Sequence, residues 1–159
     1  MKCNSSMQLT RAADYAMRVM IHLAAKSDEQ RLLLHELSRA TAAPESFLSK
    51  VLQALSRGGL ISSRRGQAGG FAILPLGRKA SMREVIEAVD GPLCLNFCMR
   101  SGLSCDRKMW CPAHPVWGRA QRALLEVLEG TSVAALAAQV SVIHYSAVDD
   151  RSHPDAPRS

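Results

Sequence analysis

An amphipathic run closed by two glycines, and followed at once by a basic, glycine-rich segment, constrains this chain more than any other feature. From Pro44 to Arg57 the apolar residues Phe47, Leu48, Val51, Leu52 and Leu55 recur at helical spacing and form one stripe. Pro44 suits the first helical position, where a backbone N–H has no partner to lose, and Gly58-Gly59 ends the run. The next residues, LISSRRGQAGGFAILP, read as two short strands, Leu60–Arg64 and Gly70–Leu74, around a tight tip. Arg64, Arg65 and Gln67 lie at that tip. Such a helix places its outer face, Ser46, Ser49, Lys50 and Gln53, beside the cations of the hairpin.

Two further helices precede this unit. Thr10 to Lys26 carries Ala13, Tyr15, Ala16, Val19, Met20, Leu23 and Ala24 on one broad face, with Thr10 able to cap its start. After the polar SDEQR break, Leu34 to Thr41 makes a short helix with Leu34 and Leu37 inward, and Ala42-Ala43-Pro44 turns into the third. Helix, helix, turn, helix and basic hairpin is the order of a winged helix-turn-helix. The third helix would enter a DNA major groove with its outer face, and Arg64 and Arg65 would lie on phosphates or in the adjacent minor groove. The plainer reading of the same residues is a core stripe under a solvated face. The stripe is core in either case, and a basic hairpin placed after the third helix favours DNA.

The charge balance agrees. Residues 1–89 hold 13 Lys or Arg against 7 Asp or Glu, whereas residues 90–159 hold 7 of each, so the whole excess of +6 lies in the amino-terminal half. A length of 159 residues supports one domain, or one small domain with an appendage, and aromatics at 4% favour helical packing units. The opening MKCNSSMQLT has no apolar signal region and no apolar stretch approaches a membrane span. A cytoplasmic protein without a membrane partner is expected, in which thiols point to metal or redox chemistry rather than structural disulfides. The odd count of 5 cysteines fits.

The thiols concentrate in the other half. SMREVIEAV reads as a short helix in which Ser81 and Glu84 form a capping box, and Asp90-Gly91-Pro92 stops it. From Leu93 to Pro115 periodicity is lost, and Cys94, Cys98, Cys105, Cys111 and His114 appear in succession. Thiolates favour zinc, copper(I) or iron–sulfur clusters over hard cations. A long helix, Val116 to Glu129, follows with Trp117, Ala120, Leu124, Val127 and Leu128 on one face. A lone stripe at this distance from a small winged domain is most economically buried against a second copy of the chain, giving a homodimer. Trp110 and Trp117 would shield the loop and fill that interface. A last helix fits Ser132 to Val140. The expected fold is therefore mainly α with a small β-hairpin wing: a winged helix-turn-helix domain over 7–90, a cysteine-rich loop over 91–115, a dimerisation helix region over 116–141, and a disordered tail over 142–159. A thiol oxidoreductase is disfavoured, because no CxxC pair opens a helix and no base stands beside a nucleophile. An enzyme is not expected.

The chain resembles the iron–sulfur-linked winged-helix repressors of the IscR, NsrR and RirA type. The likeness rests on LTRAADYAMRVMIHLA, on PESFLSKVLQALSRGGLISSRRGQAGGFAI, on SMREVIEAVDG, on Cys98, Cys105 and Cys111, and on HPVW before the long helix. It implies a dimeric operator-binding repressor, with a 2Fe–2S or 4Fe–4S cluster that senses nitric oxide, redox state or iron supply. Cys98, Cys105 and Cys111 match the three thiolate ligands, although the first gap is slightly longer than in the family. His114 matches the histidine ligand of the IscR type, and Asp14 matches the carboxylate that the NsrR type contributes from the opposite subunit. Both candidate fourth ligands are thus present; Cys94 has no clear family counterpart and stays open as a buried thiol or as a spare or alternative ligand. In the wing, Arg65 matches an arginine that reaches the minor groove. Ser46 fits a polar contact position, and Ser49 departs from the glutamate that the IscR type can carry. A cluster-free regulator using thiol oxidation, or a zinc site of three cysteines and a histidine, stays open beside the cluster.

Overall fold

Thr10 starts the first helix and also fixes where that helix lies. Its backbone is extended (φ −70°, ψ 159°), and its hydroxyl accepts the Ala13 N–H at 3.1 Å to begin α1 (Arg11–Ala24). The same hydroxyl lies 2.7 and 2.8 Å from the two carboxylate oxygens of Asp90, to which it donates. The computed structural model describes residues 9–27, 30–66, 69–99 and 105–140. Gln67, Cys3 and the expected tail over 142–159 fall outside the described residues. Along α1, Ala13, Ala16, Met17, Val19, Met20, Leu23 and Ala24 are buried. Tyr15 is only half-buried, its ring edge-on to Phe47 with centroids 5.6 Å apart.

The helix-turn-helix follows as expected, with one shift. Before α2 (Leu34–Thr41) the Leu33 N–H donates to the Glu36 carboxylate at 2.6 Å, and Leu37 and Thr41 are buried. The turn puts Ala42 in the left-handed region at φ 53°, an uncommon state for a residue with a Cβ. Ser38 holds the turn by donating its hydroxyl to the Ala43 carbonyl at 2.6 Å. Pro44 is the cap of α3 (Glu45–Arg57), not its first helical residue. At ψ 134° its backbone is still extended, and its carbonyl accepts the first N–H groups, from Phe47 and Leu48. Leu48, Val51, Leu52 and Leu55 are fully or almost fully buried, whereas Phe47 at the helix start is 39% exposed.

Strands β1 (Ile61–Arg64) and β2 (Gly70–Ile73) form an antiparallel hairpin with Ile61 opposite Ile73 and Arg64 opposite Gly70. A third backbone segment joins its edge: Leu32 and Phe71 exchange both N–H···O bonds at 2.9 Å. Arg31 beside it donates to the Gly70 carbonyl and the Ser62 hydroxyl, both at 3.0 Å. The wing is therefore anchored at its base by the segment that leads into α2. Gly70 adopts φ +114°, and a Cβ there would stand 2.7 Å from the Leu32 carbonyl oxygen.

A short helix, α4 (Pro75–Lys79), has no counterpart in the sequence reading. It lies close against β1, because Gly77 allows the approach: a Cβ there would sit 2.0 Å from the Leu60 carbonyl oxygen. Arg78 reaches across to the Ala24 and Lys26 carbonyls, which the end of α1 leaves without helical partners. The capping box of α5 (Met82–Asp90) is present as expected, with Ser81 N–H to Glu84 at 2.7 Å and Glu84 N–H to Ser81 at 3.2 Å.

Beyond the cysteine loop, α6 (His114–Glu129) starts at His114, two positions before the expected Val116. Then α7 (Val133–Val140) turns back onto α1 and α4. Val133 is 0% and Ala137 5% exposed, and the Val133 N–H bonds the Ala80 carbonyl at 2.8 Å. Grouped by sequence with the dimerisation region, α7 packs in the core of the winged domain. Among the described residues no helix is long and apolar enough to cross a membrane.

Two outcomes follow from this packing. Gly77→Ala is expected to cost about 1–3 kcal/mol, because strand or helix must move to admit the methyl; a urea midpoint equal to that of the wild type would refute the close approach. His22, in the last turn of α1, has its pKa lowered from the ordinary 6.5, first by burial and second by Lys26. The unfolded chain therefore binds a proton at His22 before the folded one does. The stability that neutral His22 contributes is whole above about pH 6.5 and falls as pH drops from there to the folded pKa. His22→Gln is expected to flatten this acid-side loss in melts recorded from pH 7 to 5.

Candidate functional site

The outer face of α3 and the wing enclose an open groove of about 470 Å³. Ser49 and Gln53 line it from α3, and Arg64 and Arg65 from the hairpin. Ser46 and Lys50 are exposed on the same helix but lie outside that lining. Gln67 falls outside the described residues. The groove also contains Ser56, Arg57 and Ser63, which the sequence reading passed over. Helical spacing held the signal for Arg57, since it lies one turn after Gln53 and two after Ser49. Three guanidinium groups around one groove make an anion-binding surface, with Phe71 and Leu52 as its apolar floor.

Asp14 lies on the exposed strip of α1 and pairs with Arg18 at 2.8 Å. Arg18 also donates to the Thr41 carbonyl at 3.3 Å, at the turn before α3, and its guanidinium lies 5.8 Å from the Tyr15 ring centre. Both partners of the ion pair are half-exposed, so the pair itself contributes little stability. Its geometry links Asp14, through Arg18, to the turn that leads into α3.

The cysteine loop leaves α5 along a strip held on both sides. The Leu93 N–H donates to Glu87 at 3.1 Å, and Gln121 on α6 holds the Leu93 carbonyl at 2.8 Å and the Leu95 N–H at 2.7 Å. Cys98 lies in a 3₁₀ turn, Phe97–Met99. The Cys105 carbonyl accepts the Lys108 backbone N–H at 2.9 Å, and the Cys111 carbonyl accepts the His114 backbone N–H at 3.1 Å. Cys94, Cys98, Cys105 and Cys111 are all partly exposed, and none is in a disulfide among the described residues. His114 Nδ1 is buried and has no hydrogen-bond partner among them. The loop side chains do not close on one another: among the described residues no three His, Cys, Asp or Glu side chains are grouped as a metal shell. Residues 100–104, between Cys98 and Cys105, fall outside the described part. Trp110, expected to shield the loop, is 68% exposed and lies under the Arg107 guanidinium.

Below the loop, Arg83 of α5 ties the end of α6 in place. It bonds Glu129 at 3.0 Å and lies 3.3 Å from Glu87. These carboxylates, Glu129 foremost, raise the Arg83 pKa above its ordinary value. Arg83, Glu87 and Gln121 were not singled out in the sequence, where nothing distinguishes them from a solvated helix face.

The family model described as Rrf2, iron-dependent transcriptional regulator, matches residues 9–139. The chain belongs to the Rrf2 family of transcriptional regulators. It is 30% identical to the HTH-type transcriptional regulator IscR of Citrobacter koseri over 154 residues, covering 96% of this chain and 92% of that protein. Among solved structures it superposes on CymR, the global cysteine regulator of B. subtilis, with a TM-score of 0.66 at 23% identity, covering 84% of this chain and 98% of that one. The IscR of T. potens matches with a TM-score of 0.66 at 19% identity, covering 85% and 89%. These two structures share the fold. As an Rrf2 transcriptional regulator the chain acts on DNA.

Arg57→Ala and Arg65→Ala are each expected to weaken operator binding and to lower the slope of log affinity against log salt by about 1. A salt series that leaves both slopes unchanged would place these guanidinium groups off the phosphate backbone.

Proposed function

We propose that this Rrf2 regulator is a homodimeric repressor whose operator affinity is set by an iron–sulfur cluster on the 91–115 loop. The α3 face, with Ser46, Ser49, Lys50 and Gln53, reads the major groove. Arg64, Arg65 and Gln67 of the wing reach the phosphates or the minor groove. The groove between them, already lined by arginine, supports this reading. For the dimer, the support is α6: 16 residues, about 24 Å long, with no residue buried within the chain. Val116 and Val127 are 53% and 68% exposed on it, a surface that a second copy would cover.

The donor set fits the group. Cys98, Cys105 and Cys111 supply thiolates, as iron–sulfur clusters require, and the family description names iron. The observation that carries the assignment is Nδ1 of His114, three residues after Cys111, buried and without a hydrogen-bond partner among the described residues: such a nitrogen is costly unless something binds the ring. That favours His114 as the fourth ligand over Asp14, which Arg18 already engages. A bound cluster would supply iron open to nitric oxide, redox change or iron loss, most readily where the ligand is not a thiolate. A hundredfold change of operator affinity between the two ligand states requires a coupling of about 2.7 kcal/mol, within the ordinary allosteric range.

A second reading is a cluster-free regulator working through thiol oxidation or zinc. It is favoured by the ungrouped donors among the described residues and by the fold shared with the cysteine regulator CymR. Purification without oxygen, with visible absorption and iron, sulfide and zinc contents, separates the two. A coloured protein with matched iron and sulfide is expected, and His114→Ala is expected to lose them faster than Asp14→Ala. A colourless, iron-free protein after reconstitution would remove the cluster and leave thiol oxidation, or zinc if zinc is found.

A further inference from the structure

Helix α6 has no residue fully buried within the protomer, and its apolar residues Trp117, Leu124, Leu125 and Leu128 are only partly covered. Polar contacts add fixed points. The Gln121 carboxamide takes both backbone groups that flank Cys94: Nε2 donates to the Leu93 carbonyl at 2.8 Å, and Oε1 accepts the Leu95 N–H at 2.7 Å. This is the pairing that one strand residue offers another, made here by a side chain. Because both bonds come from one planar group, the segment cannot slide along α6 without breaking them together. On the other side Glu87 of α5 accepts the Leu93 N–H at 3.1 Å and, with its second oxygen, lies 3.3 Å from Arg83. Arg83 then reaches Glu129 at the far end of α6. The 3₁₀ turn that carries Cys98 follows at once and rests on α6.

We propose that Gln121 is a positioning residue: it fixes the Cys94 segment to α6, so that a change of ligand state at the cysteine loop is passed on as a shift of α6 against the winged domain. The proposal rests on reading that loop as the sensory site. It makes the Leu93–Leu95 strip the junction between loop chemistry and the helix whose exposed face awaits the second subunit. Glu87 holds the α5 side of the strip, and Gln121 holds the α6 side.

Gln121→Met keeps the side-chain length and removes both hydrogen bonds. In the full-length, metal-free protein, amide exchange of Leu95 is expected to quicken about tenfold, roughly the worth of one hydrogen bond, while the melting curve stays in place. Gln121→Glu keeps the acceptor for Leu95 and loses the donor for Leu93, and is expected to fall between. Unchanged exchange in Gln121→Met overturns the clamp. A second arm compares operator affinity of iron-loaded and iron-free protein: the wild type is expected to differ between the two, and Gln121→Met to lose that difference while keeping its iron and sulfide. A difference that survives in Gln121→Met overturns the inference alone. A wild type that takes up no iron overturns the proposed function, and the exchange arm then decides whether Gln121 positions the strip.

Discussion

The winged domain depends on the burial of one helix. Around most of its circumference α1 is covered, by α2, α3, α5 and α7, and only the strip with Arg11, Asp14 and Arg18 faces outward. Each fully buried Leu or Met in such a core contributes about 1.5–3 kcal/mol relative to exposure. The polar ends are satisfied from distant parts of the chain, by Asp90 at Thr10 and by Arg78 at the Ala24 and Lys26 carbonyls. Since α3 and the base of the wing both rest against α1, the geometry of the arginine-lined groove derives from that one packed helix.

The other half of the molecule is held differently. Helix α6 and the strip before Cys98 are fastened to α5 by Arg83, Glu87, Glu129 and Gln121 rather than by a shared core. Close-packed cores resist small displacements, whereas a polar strap re-forms at modest cost when its partners move. Under the proposed function the close-packed part meets DNA and the polar-strapped part carries the sensing thiols, a division that suits a ligand-dependent shift between two states.

Much of the first part was legible because its signals are local. The stripes of α1 and α3, the Thr10 cap, the Ser81–Glu84 box and the glycines around the hairpin each act within a few residues. Pro44 was misplaced by one position, since a proline cap and a proline at the first helical turn look alike until ψ is known. Phe47 belongs to the stripe by spacing, yet it lies at the helix start where the core ends, and it meets Tyr15 at the surface instead. α4 was not legible. Five residues have no periodicity, and what holds them is the Gly77 approach to Leu60 and the reach of Arg78 to α1.

The site divides in the same way. The sequence by itself determined a winged helix-turn-helix with a basic hairpin, and an inventory of thiols and one imidazole in a loop, because composition and short-range spacing suffice for both. Only the tertiary structure decided that Arg57 shares the groove with the wing, that α7 turns back into the core, and that Gln121 grips the strip around Cys94. It also decided that Nδ1 of the partly buried His114 is shielded, with no hydrogen-bond partner among the described residues. The Gln121–Leu93 bond joins residues 28 apart and the Thr10–Asp90 bond residues 80 apart. Such pairings have no period and no local cap to announce them. They exist only once burial of α1 has brought the distant segments together.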